Sequence, residues 1–220
     1  LWVFAAKESI VFVLDPTRSH DVPEGHLGDD AEGILNVDRY SAYKAMAQVK
    51  AGNIVLSFCW ALVRRDFLTV LTGWSELTDW AWSWLDAIGL LYQRNDERCA
   101  VLGDADQFSA ADQLVRDQVE EMRQRYETEL ALPDLRLPQR KTLKSLREHW
   151  SGLTVFVEHP EVPMDNNKAE RCHRGPVVAR KNFYGSGALW SGRLAAMLFS
   201  LFQTMQIWQL DVGKWLTAYL

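Results

Sequence analysis

Three features are scarce or absent in this 220-residue sequence: cysteine, long apolar runs and a leader segment at its start. The three cysteines, Cys59, Cys99 and Cys172, lie far apart with no C-x-x-C pair, so neither a zinc site nor a disulfide framework is indicated. The longest apolar run, 194–202, is shorter than the about 20 residues that cross a bilayer, which predicts a buried helix and no membrane partner. The chain begins at Leu1 without Met or a basic segment, so we expect no signal peptide, a natural start upstream and a cytoplasmic location.

An excess of positive charge is also absent, because 24 Lys and Arg face 29 Asp and Glu and the formal net charge is −5. This total argues only weakly against nucleic-acid binding, which depends on local patches. Between Asn166 and Arg193 the balance reverses, with one acid, Glu170, against six cations. These cations are Lys168, Arg171, Arg174, Arg180, Lys181 and Arg193.

Apolar residues are abundant, at 48% of the chain with ten Trp, which is enough for the core of one large domain. Short apolar runs predict a β-hairpin and two further strands, at residues 1–6, 10–14, 34–37 and 54–60. Helical patterns fall at residues 40–49, 77–91, 109–130, 142–150, 165–173 and 189–208. Residues 154–158 fit either a short strand or a helix end. The spacing of Trp80 and Trp84 indicates core packing.

The first candidate for chemistry is Asp38, which directly follows the strand predicted at residues 34–37. Open α/β sheets bind ligands at the carboxyl ends of their strands, and carboxylates gathered there can hold a divalent cation. The alternative is that Asp38 only caps the helix that follows, as Asp often does.

The second candidate is Glu170, in a helix whose start is indicated by the good N-cap residues Asp165, Asn166 and Asn167. Glu170 is either a metal ligand flanked by phosphate-binding cations, or half of a surface ion pair with Arg174 at i, i+4. A third segment, Val178–Trp190, alternates basic and aromatic residues before a Gly-Ser-Gly turn. Such mixtures bind DNA backbones and bases, and they also occur in ordinary loops.

Together these segments resemble the insertion-sequence 66 family of bacterial transposases. The most specific element is D-N-N-x-A-E-R, which leads to R-K-N. The matching segments are Val37-Asp38-Arg39-Tyr40-Ser41-Ala42-Tyr43, Phe58-Cys59-Trp60-Ala61, Arg64-Arg65, Asp165-Asn166-Asn167-Lys168-Ala169-Glu170-Arg171, Arg180-Lys181-Asn182-Phe183 and Gly185-Ser186-Gly187.

The resemblance implies an α/β fold with an RNase H-like core, a mixed sheet flanked by helices, over about 1–72 and 151–220. A mostly helical insertion at about 73–150 completes one catalytic domain spanning 1–220. The implied enzyme is a DDE transposase, a polynucleotidyl transferase that cleaves DNA and transfers strands with Mg²⁺, or with Mn²⁺ in its place. Asp38 resembles the second aspartate and Glu170 the closing glutamate, and both are implied to be catalytic metal ligands.

The implied DNA-binding residues are Lys168, Arg171, Arg174, Arg180 and Lys181. The partners implied are transposon ends and target DNA, with a homo-oligomer in the synaptic complex. Two departures stand out: no residue here corresponds to the family's first aspartate, and Leu62 replaces the histidine of its Cys-Trp-Ala-His motif. These 220 residues alone are therefore expected to be inactive. The rival interpretation is a non-catalytic DNA-binding or interaction module descended from a transposase.

Overall fold

The computed structural model describes residues 1–183 and 185–219, which form two compact units. Unit 1 comprises Leu1–His26 and Asn167–Leu220, and unit 2 comprises Leu27–Asn166. The strands are β1 (Trp2–Ala5), β2 (Ile10–Val13), β3 (Gly33–Val37) and β4 (Ile54–Phe58). The helices are α1 (Asp21–Leu27), α2 (Ser41–Ala45), α3 (Ala47–Lys50), α4 (Trp60–Gly73), α5 (Thr78–Ala100), α6 (Ala105–Leu130), α7 (Leu137–Leu153), α8 (Val155–Glu158), α9 (Asn167–Cys172), α10 (Arg174–Asn182), α11 (Leu189–Ile207) and α12 (Val212–Tyr219).

The four strands form two small sheets in a chain that is mostly helical. β1 and β2 pair antiparallel, as the predicted hairpin requires. β3 and β4 pair in parallel, with Val37 opposite Phe58 at their carboxyl ends. The chain is therefore of mixed α/β class. None of the helices in the described part of the chain has both the length and the apolar character of a membrane span.

Unit 1 is held together by contacts between the hairpin and α11. The backbone N–H groups of Ile10 and Phe12 donate to the hydroxyls of Thr204 and Ser200, at 3.0 and 2.8 Å. Because these two hydroxyls are four residues apart on α11, one helix face satisfies the open edge of β2. Ile10, Phe12 and Ala196 are buried beneath this contact.

The opposite face of α11 corrects an expectation from the sequence. The apolar run at residues 194–202 was expected to be buried, yet Leu194, Met197 and Leu201 are exposed. Small and hydroxyl-bearing residues, such as Ala196 and Ser200, make the packed face instead. The expectation of a buried helix was therefore wrong for half of its surface, because the run covers all sides of the helix.

Unit 2 contains the main core, where helices pack around the β3–β4 pair. The expected core role of the tryptophans is confirmed, since Trp84 is fully buried and stacks on Phe67 with ring centroids 5.2 Å apart. Trp80 is partly buried against the same core. The indole N–H groups of Trp80 and Trp84 both donate to Glu129 of α6, at 2.7 and 3.1 Å, so the two polar atoms are satisfied.

A buried arginine joins three helices of unit 2. Arg98 of α5, at 0% exposure, donates to Asp112 of α6 and to the carbonyls of Phe156 and Val157 in α8. A buried charge is tolerated only when it is paired and hydrogen-bonded, so α8 is fixed firmly to the helices. From the sequence, residues 154–158 fitted either a short strand or a helix end. In the structure they are Thr154 and the helix α8 that follows it.

The bounds of several helices differ from the sequence expectation. α7 begins at Leu137 rather than at residue 142, because Pro138 occupies its first turn, where a missing N–H is not needed. α10 occupies part of the segment that was considered a basic and aromatic loop. Tyr184, also in that segment, lies outside the described residues.

Close packing of α7 on β4 makes Gly152 sensitive to substitution. A Cβ atom at Gly152 would overlap the Phe58 ring and lie 2.8 Å from the carbonyl oxygen of Leu56. Gly152→Ala should therefore lower the free energy of unfolding by about 1–3 kcal/mol in urea titrations followed by circular dichroism. The control is Gly89→Ala in α5, where no atom lies within 4 Å, and which should be neutral or stabilising by up to about 1 kcal/mol. Equal effects of the two substitutions would contradict this packing.

Candidate active site

Asp38 follows β3 directly, at the carboxyl edge of the parallel β3–β4 pair. This is the edge where open α/β sheets place ligands. The Asp38 Oδ1 atom accepts a hydrogen bond of 2.9 Å from the backbone N–H of Tyr40, one residue before α2. This bond is not a helix cap, because the N-cap residue of α2 is Tyr40 and no side chain caps that helix. An ionised carboxylate accepts several hydrogen bonds, so this bond is compatible with a ligand role.

The segment from Pro163 to Asn166 lies across the same edge. The side-chain amide of Asn36 donates to the carbonyls of Pro163 and Asp165, at 2.6 and 3.3 Å. The backbone N–H of Trp60, just after β4, donates to the carbonyl of Met164 at 2.9 Å. The ends of both strands therefore bind this segment.

Asp165 is a second carboxylate that this segment brings into unit 2. The Tyr92 hydroxyl donates to Asp165 Oδ2 at 3.4 Å. Burial raises the pKa of Tyr92 well above its usual range, and the charge of Asp165 raises it further. From the sequence, Asp165 is expected only as a helix cap. Its contact with Tyr92 spans 73 positions, and no local spacing could have indicated it.

Two other titratable groups near this edge also favour their protonated forms. Burial raises the pKa of Tyr43 to about 12, with a further contribution from the charge of Asp38. Burial raises the pKa of the Cys59 thiol, and the charge of Asp165 adds to it. The Tyr43 hydroxyl therefore stays protonated to a higher pH than an ordinary tyrosine.

Two amide oxygens, one in β3 and one in the Pro163–Asn166 segment, have no hydrogen-bond partner among the described residues. Asn36 Oδ1 and Asn166 Oδ1 are both buried, and neither accepts a hydrogen bond from the described residues. Leaving a buried acceptor unsatisfied costs about 1–3 kcal/mol. Amide and carboxylate oxygens are the ligands that hard divalent cations take, so the donor set at this edge fits such an ion.

Glu170 lies on α9 and is exposed. α9 ends at Cys172, and Arg174 begins α10, so the two residues do not share a helix. Among the ion pairs of residues 1–183 and 185–219, none joins Glu170 to Arg174. The alternative of an i, i+4 pair is therefore not formed. Glu170 belongs to unit 1 and Asp38 to unit 2, and their meeting at one metal site stays a prediction.

The cations expected to bind DNA all lie on α9 and α10 in unit 1. Lys168 donates to the carbonyl of Ala6 at 2.9 Å, and Arg171 donates to the carbonyl of Asn167 at 3.2 Å. Arg174, Arg180 and Lys181 are exposed. Arg180 and Lys181 occupy the last turn of α10, where positive charge complements the helix dipole. That these cations bind DNA stays a prediction.

One group of three potential metal ligands occurs among the described residues. His20, Asp21 and Glu24, at the start of α1, have ligand atoms within 4.8 Å of one another. The group is exposed or half-exposed, and exposed acidic groups are common without an ion. It contains neither Asp38 nor Glu170.

The chain belongs to the transposase IS66 family, whose family model matches residues 1–194. The family inferred from the sequence motifs is therefore confirmed. The whole chain is also 26% identical to uncharacterized protein y4jD of Sinorhizobium fredii (strain NBRC 101917 / NGR234), and 27% identical to uncharacterized protein y4qI of the same strain. The chain spans 43% of the length of each of these relatives. No solved structure matches it.

The contacts of Asn36 give a test of how this edge is held. Asn36→Leu keeps the branched shape of the side chain and removes the donor to the carbonyls of Pro163 and Asp165, so the Pro163–Asn166 segment is no longer attached to β3. Hydrogen exchange at the Trp60 amide should become faster, because the Pro163–Asn166 segment loses its second attachment. The control is Asn53→Leu, at an exposed position just before β4. Unchanged exchange at Trp60 in Asn36→Leu would contradict this description.

Proposed function

We propose that this chain is most of the catalytic domain of a metal-dependent DDE transposase, which cleaves DNA and transfers strands by phosphoryl transfer. The observation that carries the proposal is the place of Asp38, at the carboxyl edge of a parallel strand pair, in a chain of a transposase family. The RNase H-like core and the helical insertion belong to this proposal. The hairpin and the parallel pair are separate two-stranded sheets among the described residues, so one mixed sheet stays a proposal.

In the proposed site, Asp38 and Glu170 hold divalent cations, with Mg²⁺ preferred and Mn²⁺ as a substitute. When bound, such ions activate the attacking hydroxyl and stabilise the leaving oxygen at phosphorus. The buried oxygens of Asn36 and Asn166 and the Asp165 carboxylate fit this use, because all are hard oxygen donors. The family's first aspartate would come from outside these 220 residues.

The chain's own residues have two further tasks in this proposal. Lys168, Arg171, Arg174, Arg180 and Lys181 bind phosphates of the transposon end and the target, with affinity that falls as salt rises. The Tyr43 hydroxyl, whose pKa is raised to about 12, stays protonated and can donate a hydrogen bond at neutral pH. We further propose that two or more copies assemble on the paired transposon ends.

The test uses the full-length protein and a DNA substrate that carries an element end. Asp38→Asn and Glu170→Gln should each lower Mg²⁺-dependent cleavage by more than about 100-fold, because even a residue that only supports a metal ligand contributes about 10–100-fold. DNA affinity measured in EDTA should not fall. Glu161→Gln, at an exposed acid, is the control and should cleave normally. Cleavage that persists in both site variants would remove Asp38 and Glu170 from the active site, and no cleavage by the wild-type protein would favour the non-catalytic module.

A further inference from the structure

Helix α7, in unit 2, carries a run of positive charge that the proposed function does not use. From Leu135 to Arg147 the sequence has five cations and no acid. They are Arg136, Arg140, Lys141, Lys144 and Arg147. This run is the reverse of the chain as a whole, whose net charge is −5. A local patch of this kind decides binding to polyanions, whatever the total charge.

The two outer cations of the run are paired, and the three inner ones are not. Arg136 forms an ion pair with Glu76, and Arg147 lies 3.9 Å from Glu127. Across residues 1–183 and 185–219, no ion pair involves the inner cations Arg140, Lys141 and Lys144.

These three inner cations, here called the α7 cation patch, also repel one another. Lys144 is four residues from Arg140 and three from Lys141, so its side chain neighbours both of theirs on the helix surface. Like charges at such spacing destabilise a helix. A bound polyanion would relieve this repulsion, because it would place negative charge between the cations.

An open cleft of about 520 Å³ borders the patch within unit 2. Lys141, Thr142 and Ser145 of α7 line it, together with Thr69 of α4 and the residue after α4, Trp74. Trp74 is 40% exposed, so part of its ring is open to a ligand beside the cleft. Cations and hydroxyls beside an exposed aromatic ring are typical of surfaces that bind nucleic-acid strands.

The acid that lines the cleft, Asp66, already has a partner. Arg39 pairs with Asp66 at 2.7 Å and donates to the Ser145 hydroxyl at 2.9 Å. Lys44 pairs in the same way with Glu148, at 3.1 Å. Lys141, a member of the α7 cation patch, is therefore the Lys or Arg lining the cleft that has no ion pair among the described residues.

We propose that the α7 cation patch and its cleft are a second DNA-binding surface, separate from the cations of α9 and α10. Arg140, Lys141 and Lys144 bind successive phosphates of a DNA strand, and Trp74 stacks on an unpaired base. The inference rests on the proposed function, since it supposes a DNA substrate. It gives the helical part of unit 2 a direct role in holding that substrate.

The experiment measures binding of the 220-residue chain to a fluorescent duplex with a single-stranded tail, in EDTA. The variant Arg140→Gln/Lys141→Gln/Lys144→Gln should bind at least about 10-fold more weakly at 0.1 M salt, and the slope of log K against log salt should shrink by about 2–3. The control is Lys50→Gln/Arg123→Gln/Lys214→Gln, which removes three exposed cations elsewhere and should bind like the wild type. Trp74→Ala should weaken binding of the tailed duplex more than that of a blunt one.

Two results would overturn the inference: unchanged binding by the patch variant, or equal losses in the patch variant and its control. Thermal unfolding accompanies each measurement, and the patch variant should unfold at or above the wild-type temperature because it loses internal repulsion. If the patch variant unfolds at a lower temperature than the wild type, the single variants Lys141→Gln and Lys144→Gln are measured instead. Each should lose less DNA affinity than the triple variant. Binding in EDTA needs no metal site. If the chain binds DNA through α7 but the full-length protein cleaves no DNA, the proposed function is overturned and this inference stands.

Discussion

Three hydrogen bonds at the carboxyl edge of β3 and β4 are the constraint on which the candidate site depends. Asn36 binds the carbonyls of Pro163 and Asp165, and the backbone N–H of Trp60 binds that of Met164. These bonds join residues more than 100 positions apart in the sequence. Forming them therefore costs the conformational entropy of ordering the chain between those residues. Helix α9, which carries Glu170, begins at Asn167, two residues after Asp165.

The core of unit 2 offsets that cost, because it holds the residues on both sides of the contact. Trp60 is fully buried, and its indole donates to the carbonyl of Leu153 at the end of α7. Arg98 binds the carbonyls of Phe156 and Val157 in α8. The segment that begins at Pro163 therefore follows closely after α8, which Arg98 holds in place.

Local signals in the sequence were sufficient for the strands and for the position of Asp38. The runs at residues 34–37 and 54–60 are apolar and β-branched, and their bounds in β3 and β4 agree within two residues. The family followed from motifs such as D-N-N-x-A-E-R, because they combine several rare residues at fixed spacing. Helix α10 was missed, since its Gly175 and Pro176 are typical of turns, yet both fall in its first turn, where they are tolerated.

What the sequence could not indicate depends on contacts between distant residues. Neither the bond from Tyr92 to Asp165 nor the unsatisfied oxygens of Asn36 and Asn166 have any local pattern. The exposed face of α11 is a similar case. An apolar run shows that a helix can be buried, but only the partner surface decides which side is.

The central claim is that Asp38 and Glu170 hold the same metal ions, and iron-directed cleavage of the protein tests it most directly. With added H₂O₂ and ascorbate, Fe²⁺ bound in place of Mg²⁺ reduces the peroxide to hydroxide and a hydroxyl radical, which cuts the backbone beside the ligands of the iron. In the full-length protein, cuts mapped by mass spectrometry should fall near both residues 36–40 and 168–172, and excess Mg²⁺ should suppress them together. Cuts confined to the neighbourhood of His20, Asp21 and Glu24, or near only one of the two carboxylates, would contradict the account.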